Sequence, residues 1–195
     1  MKEPMPQKVE LCGRGYALVR QFCIINDIPA PNLTMVPASN WRVQFCAYWR
    51  EGRIYICLPK CAHPGKAARA WSWPGYVIDR TPYGVVCHEF GHHIDSHMSN
   101  ERGAYYGDFS IKLRRETKEP PITSYAPDDA EWFAEIFRLF ITNPDLLQKL
   151  RPATFKKLHD KFESGEPRSY KHVLRSAPTG TKAGCEKKIN EASRR

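Results

Sequence analysis

The sequence predicts a domain of the α+β class, with a small N-terminal sheet, one helix that carries chemistry, and a helical C-terminal half. Three observations predict it. Two aromatic and β-branched runs, WRVQFCAYW (41–49) and RIYICL (53–58), are joined by Arg50-Glu51-Gly52, which is hairpin grammar. Apolar residues then recur at helical spacing over 81–97 and again over 128–140. Finally, 195 residues at 42% hydrophobic are enough for one sizeable core. A single domain over 1–163 is expected, followed by a basic, flexible tail over 164–195.

In order along the chain, residues 7–26 place Val9, Leu11, Cys12, Ala17, Leu18, Phe22 and Ile25 at mostly helical spacing, with Gly13 and Gly15 weakening the middle. Asp27-Ile28-Pro29-Ala30-Pro31 ends that helix, and Leu33–Val36 reads as a short strand. The hairpin follows. An open strand edge beside a reactive helix can pair with an extended peptide backbone, although many hairpins only close a sheet. Residues 60–80 form a long connection containing Trp71 and Trp73, which read as a loop anchor before they read as the wall of a substrate groove.

Thr81-Pro82 then supplies an N-cap and a first-turn proline, and Val85, Val86, Phe90 and Ile94 give the next helix its core face. On that helix stand His88, Glu89 and His92, spaced HExxH. Imidazoles four apart lie one turn apart on one face, about 6 Å between stems, so both rings can reach a single metal ion. The carboxylate of Glu89 sits beside them, where it can act as general base on metal-bound water without being a ligand. The bland alternative is a buried helix with hydrogen-bonded histidines.

Residues 99–122 form a charged connection with no clear period, suited to a flap over a cleft. Then Asp128 or Asp129 caps a helix whose apolar face is Trp132, Phe133, Ile136, Phe137 and Phe140. Glu131 and Glu135 share another stripe. Two carboxylates one turn apart repel, and a divalent cation with its histidines would offset that. Glu131 then becomes a third protein ligand in a His2Glu site, with Glu135 accepting from a ligand imidazole. Taken without the upstream motif, the pair would read as two solvent-facing glutamates. Asn143-Pro144 opens a helix through Leu146, Leu147 and Leu150, and Pro152 opens another through Phe155, Leu158 and Phe162.

Seven cysteines, an odd number without regular pairing, fit reduced thiols better than a disulfide framework. Cys87 reads as a small core residue. Cys46, Cys57, Cys61 and His63 carry the donor types of a second, structural zinc site, but their spacing matches no standard knuckle. The formal charge of +9 comes partly from Lys112, Arg114, Arg115 and Lys118 in the connection and from the tail. Solvated charge is the default reading, and an acidic or nucleic-acid partner for the basic loop and tail is the alternative. No stretch approaches the roughly 20 apolar residues of a membrane span, and the N-terminus lacks a secretory apolar run. A cytoplasmic location is therefore expected. His97, five residues beyond His92, does not complete a three-histidine metzincin pattern. His93 has no assigned part, and Asp95 reads first as an exposed acid near a helix end, with orienting the helix or a ligand as the alternative.

HEFGHHID, followed some thirty residues later by TSYAPDDAEWFAEIFRLF, resembles the catalytic half of the anthrax lethal factor-like zinc metallopeptidases, a gluzincin branch. The likeness covers roughly residues 81–145. It implies a zincin-like metallopeptidase fold, with one catalytic zinc ion held by His88, His92 and Glu131 and with Glu89 as the base. It further implies Tyr125 as the group stabilising the oxyanion and Glu135 as the acid behind a ligand. The expected activity is hydrolysis of peptide bonds in a protein or peptide substrate, by a zinc-activated water. Two other readings stand beside it: a zincin-scaffold binding protein without turnover, and a peptidase targeted to DNA-bound regulatory proteins. Substrate preference does not transfer with the resemblance.

Overall fold

The computed structural model describes residues 5–39, 46–63, 79–100, 107–123, 126 and 128–162. Residues 41–45 of the first expected strand, the Trp71 and Trp73 loop, Tyr125, Cys185 and the 164–195 tail lie outside them. The described chain is α+β, a three-stranded sheet and six α-helices.

Helix α1 (Met5–Ile25) runs unbroken through Gly13 and Gly15 and buries Leu11, Cys12, Val19, Phe22 and Cys23. It leads to β1 (Asn32–Met35), β2 (Ala47–Arg50) and β3 (Arg53–Ile56) in spatial order β1-β3-β2. Strand β3 is central, parallel to β1 and antiparallel to β2, with Arg50 opposite Arg53. The hairpin is tighter than the sequence suggested. Its loop is only Glu51-Gly52, both at positive φ (48° and 73°), the backbone of a two-residue turn matched to the strand twist.

Helix α2 (Pro82–Asn100) packs on α1, on the sheet and on α4 (Asp129–Thr142). Its start is capped as the sequence suggests. Thr81 Oγ1 accepts from Gly84 N at 3.4 Å, and Asp79 Oδ1 accepts from both the Thr81 amide (2.9 Å) and its hydroxyl (2.6 Å). Phe22 of α1 meets Phe90 of α2 and Phe137 of α4 edge-on, at centroid distances of 5.7 and 5.3 Å. The α2–α4 crossing is close at Gly91, where a Cβ would lie 2.6 Å from Ala134 Cα, so only glycine lets the two backbones approach this far.

The 99–122 connection is not aperiodic. It contains α3 (Asp108–Thr117), which buries Ser110 and Leu113, so the lysine and arginines placed there as loop charges are mostly helical. Its signal is tertiary. The first turn is held by side chains of α2, with Asp95 Oδ1 accepting from Ser110 N (2.9 Å) and Ser99 Oγ from Phe109 N (3.2 Å). Helices α5 (Pro144–Leu150) and α6 (Pro152–His159) close the described chain. Glu119 caps α6 through the amides of Ala153 (3.1 Å) and Thr154 (2.8 Å), and Arg151 donates to the carbonyls of Pro120 and Pro121. No described helix is long and apolar enough to cross a membrane.

Candidate metal centre

The crossing of α2 and α4 brings the distant motifs together. Asp128 caps α4, accepting from Glu131 N at 2.8 Å, which settles the cap between the two aspartates and starts the helix with Glu131 in its first turn. From there the Glu131 carboxylate faces both imidazoles. His88 Nε2 lies 3.1 Å from Glu131 Oε2 and His92 Nε2 lies 3.6 Å from Glu131 Oε1. One ligand atom from each of His88, His92 and Glu131 falls within 4.8 Å of the others, close enough to hold one metal ion. Among the described residues no other group of three His, Cys, Asp or Glu does so.

Cys46, Cys57, Cys61 and His63 are all described, yet they do not bring three donor atoms to a common point. The second structural zinc site is therefore not assembled. Cys61 is buried, with its thiol turned to the Cys57 carbonyl at 3.5 Å.

Behind His88 is a chain of hydrogen bonds. Its Nδ1 meets Glu135 Oε1 at 2.9 Å, and the same carboxylate accepts from Arg138 Nε (3.1 Å), Arg138 Nη2 (2.9 Å) and Thr123 Oγ1 (3.3 Å). Arg138 is 0% exposed. Burial alone would push Glu135 up, but Arg138 and His88 hold its carboxyl well below the usual carboxylate range. Burial likewise works against a charged His88, and hydrogen bonds to Glu131 and Glu135 overcome it, raising the imidazole to about 10. His92 goes the other way, pushed down to about 4 by burial and by His88. Its Nδ1 is buried and has no partner among the described residues.

Glu89 is buried beside this cluster, and burial raises its carboxyl to about 7 against the pull of His88 and of a hydrogen bond from the Trp49 backbone. Strand β2 packs against the helix that carries Glu89. Tyr125 lies outside the described residues.

The sequence reading missed Arg138. The signal was present, a lone arginine inside the apolar run Ile136–Ile141, where a cation is retained only if paired. Its preferred reading of Asp95 as exposed was wrong: the residue is 0% exposed and anchors α3 to α2, nearer to the alternative of an orienting role. His93 is buried, with Nε2 2.7 Å from the Pro29 carbonyl, holding α2 to the segment before β1.

No family model, curated protein or solved structure matches the chain.

Proposed function

We propose that the chain is a zinc-dependent metallopeptidase of the gluzincin type on a zincin-like scaffold. The observation that carries this reading is the convergence of His88 Nε2, His92 Nε2 and the Glu131 carboxylate, with Glu89 next to the first ligand on the same helix. Two imidazoles and one carboxylate are the donor set of catalytic zinc sites that leave a fourth position open, whereas closed structural sites are built mainly on cysteine. Glu135 behind His88 adds the carboxylate that fixes a ligand imidazole with its far nitrogen facing the ion. The donors present therefore suit zinc.

His88, His92 and Glu131 would hold the ion. When bound, it supplies Lewis acidity, polarising a carbonyl and acidifying water. Glu89 takes the proton of the attacking water on its carboxylate and passes it to the leaving amine of the peptide. Its burial next to the β2 edge keeps that exchange away from bulk solvent. Tyr125, by the resemblance, donates to the developing oxyanion.

The decisive experiment measures metal content and peptide-library cleavage together. Glu89→Gln is expected to keep stoichiometric zinc and lose about 10²–10⁴-fold in turnover. His88→Ala, His92→Ala and Glu131→Ala are each expected to lose the metal. Stoichiometric zinc in Glu131→Ala, or cleavage that persists under a chelator, overturns the assignment. A zinc-loaded wild type with no cleavage of any library peptide would favour the scaffold-only reading.

A further inference from the structure

Outside the metal centre, the other concentration of reactive groups lies where the hairpin meets α1. Beyond β2 and β3 the ladder continues by one pair, Cys57 N donating to Cys46 O at 2.8 Å. A single 3-10 turn, Leu58–Lys60, then folds the chain back, closed by Cys61 N on Leu58 O at 3.2 Å. That return places Cys46 Sγ 3.1 Å from the carbonyl of Lys60, the residue directly before Cys61, and Cys61 Sγ 3.5 Å from the carbonyl of Cys57, whose amide donates to Cys46 O, so both thiols face the same junction. The pair is asymmetric: Cys46 is half-buried at the surface, and Cys61 is 3% exposed beneath it. Cations surround them. Lys8, almost wholly buried on α1, donates from Nζ to Cys61 O at 2.7 Å, and Lys60 and Arg80 lie close enough to act on the Cys46 sulfur.

We propose that Cys46 and Cys61 are an oxidisable dithiol, in which a peroxide-class oxidant reacts at the half-buried Cys46 sulfur and the buried Cys61 closes a disulfide. The neighbourhood divides the roles. A hydrogen bond from Cys61, helped by Arg80, Lys8 and Lys60, outweighs burial and brings the Cys46 thiol down to about 7, whereas the bond to Cys46 and burial push Cys61 up. In their thiol forms Cys46 donates to the Lys60 carbonyl and Cys61 to the Cys57 carbonyl; ionisation of Cys46 frees its sulfur to accept from Cys61 instead. Two other buried thiols with no such partner, Cys12 and Cys23, are raised by burial to about 11 and about 12.

In the first step the Cys46 thiolate attacks the peroxide, an S–O bond forms, the O–O bond breaks, and the leaving hydroxide takes up the proton that Cys46 released to solvent on ionising and departs as water. In the second, Cys61 attacks the sulfenic sulfur; the S–S bond forms, the S–O bond breaks, and the departing hydroxide takes the Cys61 proton as a second water. The dithiol gives two electrons and one peroxide is reduced. An external thiol reverses the reaction by exchange. This chemistry is independent of any metal at the α2–α4 crossing.

The test uses the full chain with stoichiometric hydrogen peroxide, alkylation of the remaining thiols, digestion and mass mapping. The expected product is a Cys46–Cys61 cross-linked peptide pair, lighter by two hydrogens, as the main disulfide, and reversed by a dithiol reductant. Before oxidation, Cys46 is expected to alkylate at neutral pH on the order of tenfold or more faster than Cys12 or Cys23. Cys61→Ser is expected to leave a sulfenic acid on Cys46 that dimedone traps, and Cys46→Ser to leave Cys61 reduced. A wild-type map in which Cys46 pairs mainly with Cys57 or Cys185, in which no disulfide forms, or in which Cys46 alkylates no faster than the buried thiols, overturns the proposal without reference to the variants.

Discussion

His88 and His92 stand one turn apart on one helix, each with a side chain 12% exposed, and yet they are held in opposite ways. Both ring nitrogens of His88 meet carboxylates, Glu131 on one side and Glu135 on the other, and Glu135 is in turn gripped by the Arg138 fork. His92 meets Glu131 only at 3.6 Å, and its Nδ1 has no partner among the described residues. Hydrogen bonds orient the first ring. The second depends on where α2 itself lies, and so on how α2 is anchored to α4 and α3. One imidazole is fixed by a polar chain and the other by the backbone that carries it.

The strongest way to break that contrast is to cut the chain behind His88. Arg138→Met leaves the Glu135 carboxylate buried with, among the described residues, His88 and Thr123 as its remaining hydrogen-bond partners, and removing one partner of a buried ion pair costs about 3–5 kcal/mol. Urea unfolding of the metal-free protein reads it directly. Arg138→Lys keeps the charge but loses the two-point grip, so it is expected to recover only part of the loss. Full stability in Arg138→Met would mean the ion pair contributes nothing to holding α4.

His92 is reached instead through the crossing. Gly91→Val places a side chain where a Cβ alone would be 2.6 Å from Ala134 Cα, so the helices must part. Overpacking of this kind costs about 1–3 kcal/mol. Because Glu131 sits on the displaced helix, metal affinity is expected to fall along with stability. Calorimetry of zinc binding beside a thermal melt separates the two losses. Glu135→Gln keeps an amide facing Nδ1 but without charge; it also takes the carboxylate from the buried Arg138, so stability is expected to fall too, and losing such a partner typically weakens a metal site 10–100-fold. A chelator-competition titration reads that factor, and an unchanged affinity would show that His88 needs no help in orienting.

How legible all this was in the sequence depends on how local each signal is. Helix α4 was plain because its cap, apolar face and both glutamates lie within one continuous stretch, 128–140. The hairpin was plain for the same reason, although its turn closes to Glu51-Gly52 with Arg50 in the strand. By contrast α3 carries no cap of its own, its N-cap being Gly107 with no side-chain bond, and Asp95 and Ser99 of α2 satisfy its first amides. Nothing between 107 and 117 announces that support. That His88, His92 and Glu131 could share one ion was readable as a spacing, HExxH with a distant ExxxE, but the approach of the two helices at Gly91 and Ala134 was not. Spacing along a helix fixes which residues share a face; which faces meet is decided by packing elsewhere in the chain.

The smallest expected effect concerns the anchor on the His92 side, Asp95, which lies one turn beyond that ring and ties α2 to α3. Burial raises its carboxyl, the Ser110 amide and hydroxyl oppose that, and Asp108 and Asp129 add to it, the latter already bridged to Arg114 at 2.7 Å. A carboxyl raised in the folded state binds its proton more tightly there than in the unfolded chain. Its contribution to stability is therefore complete below the unfolded value, about 4, and is lost as pH rises through the higher folded one. Asp95→Asn keeps an oxygen for the Ser110 amide and has no charge to bury, so its stability relative to wild type is expected to climb with pH from about 4 toward neutrality. Denaturant midpoints for the two proteins across that range give the answer. A difference that stays constant would mean that Asp95 is solvated in solution, and the end of α2 that carries His92 would then be held by His93, Ser99 and apolar packing without it.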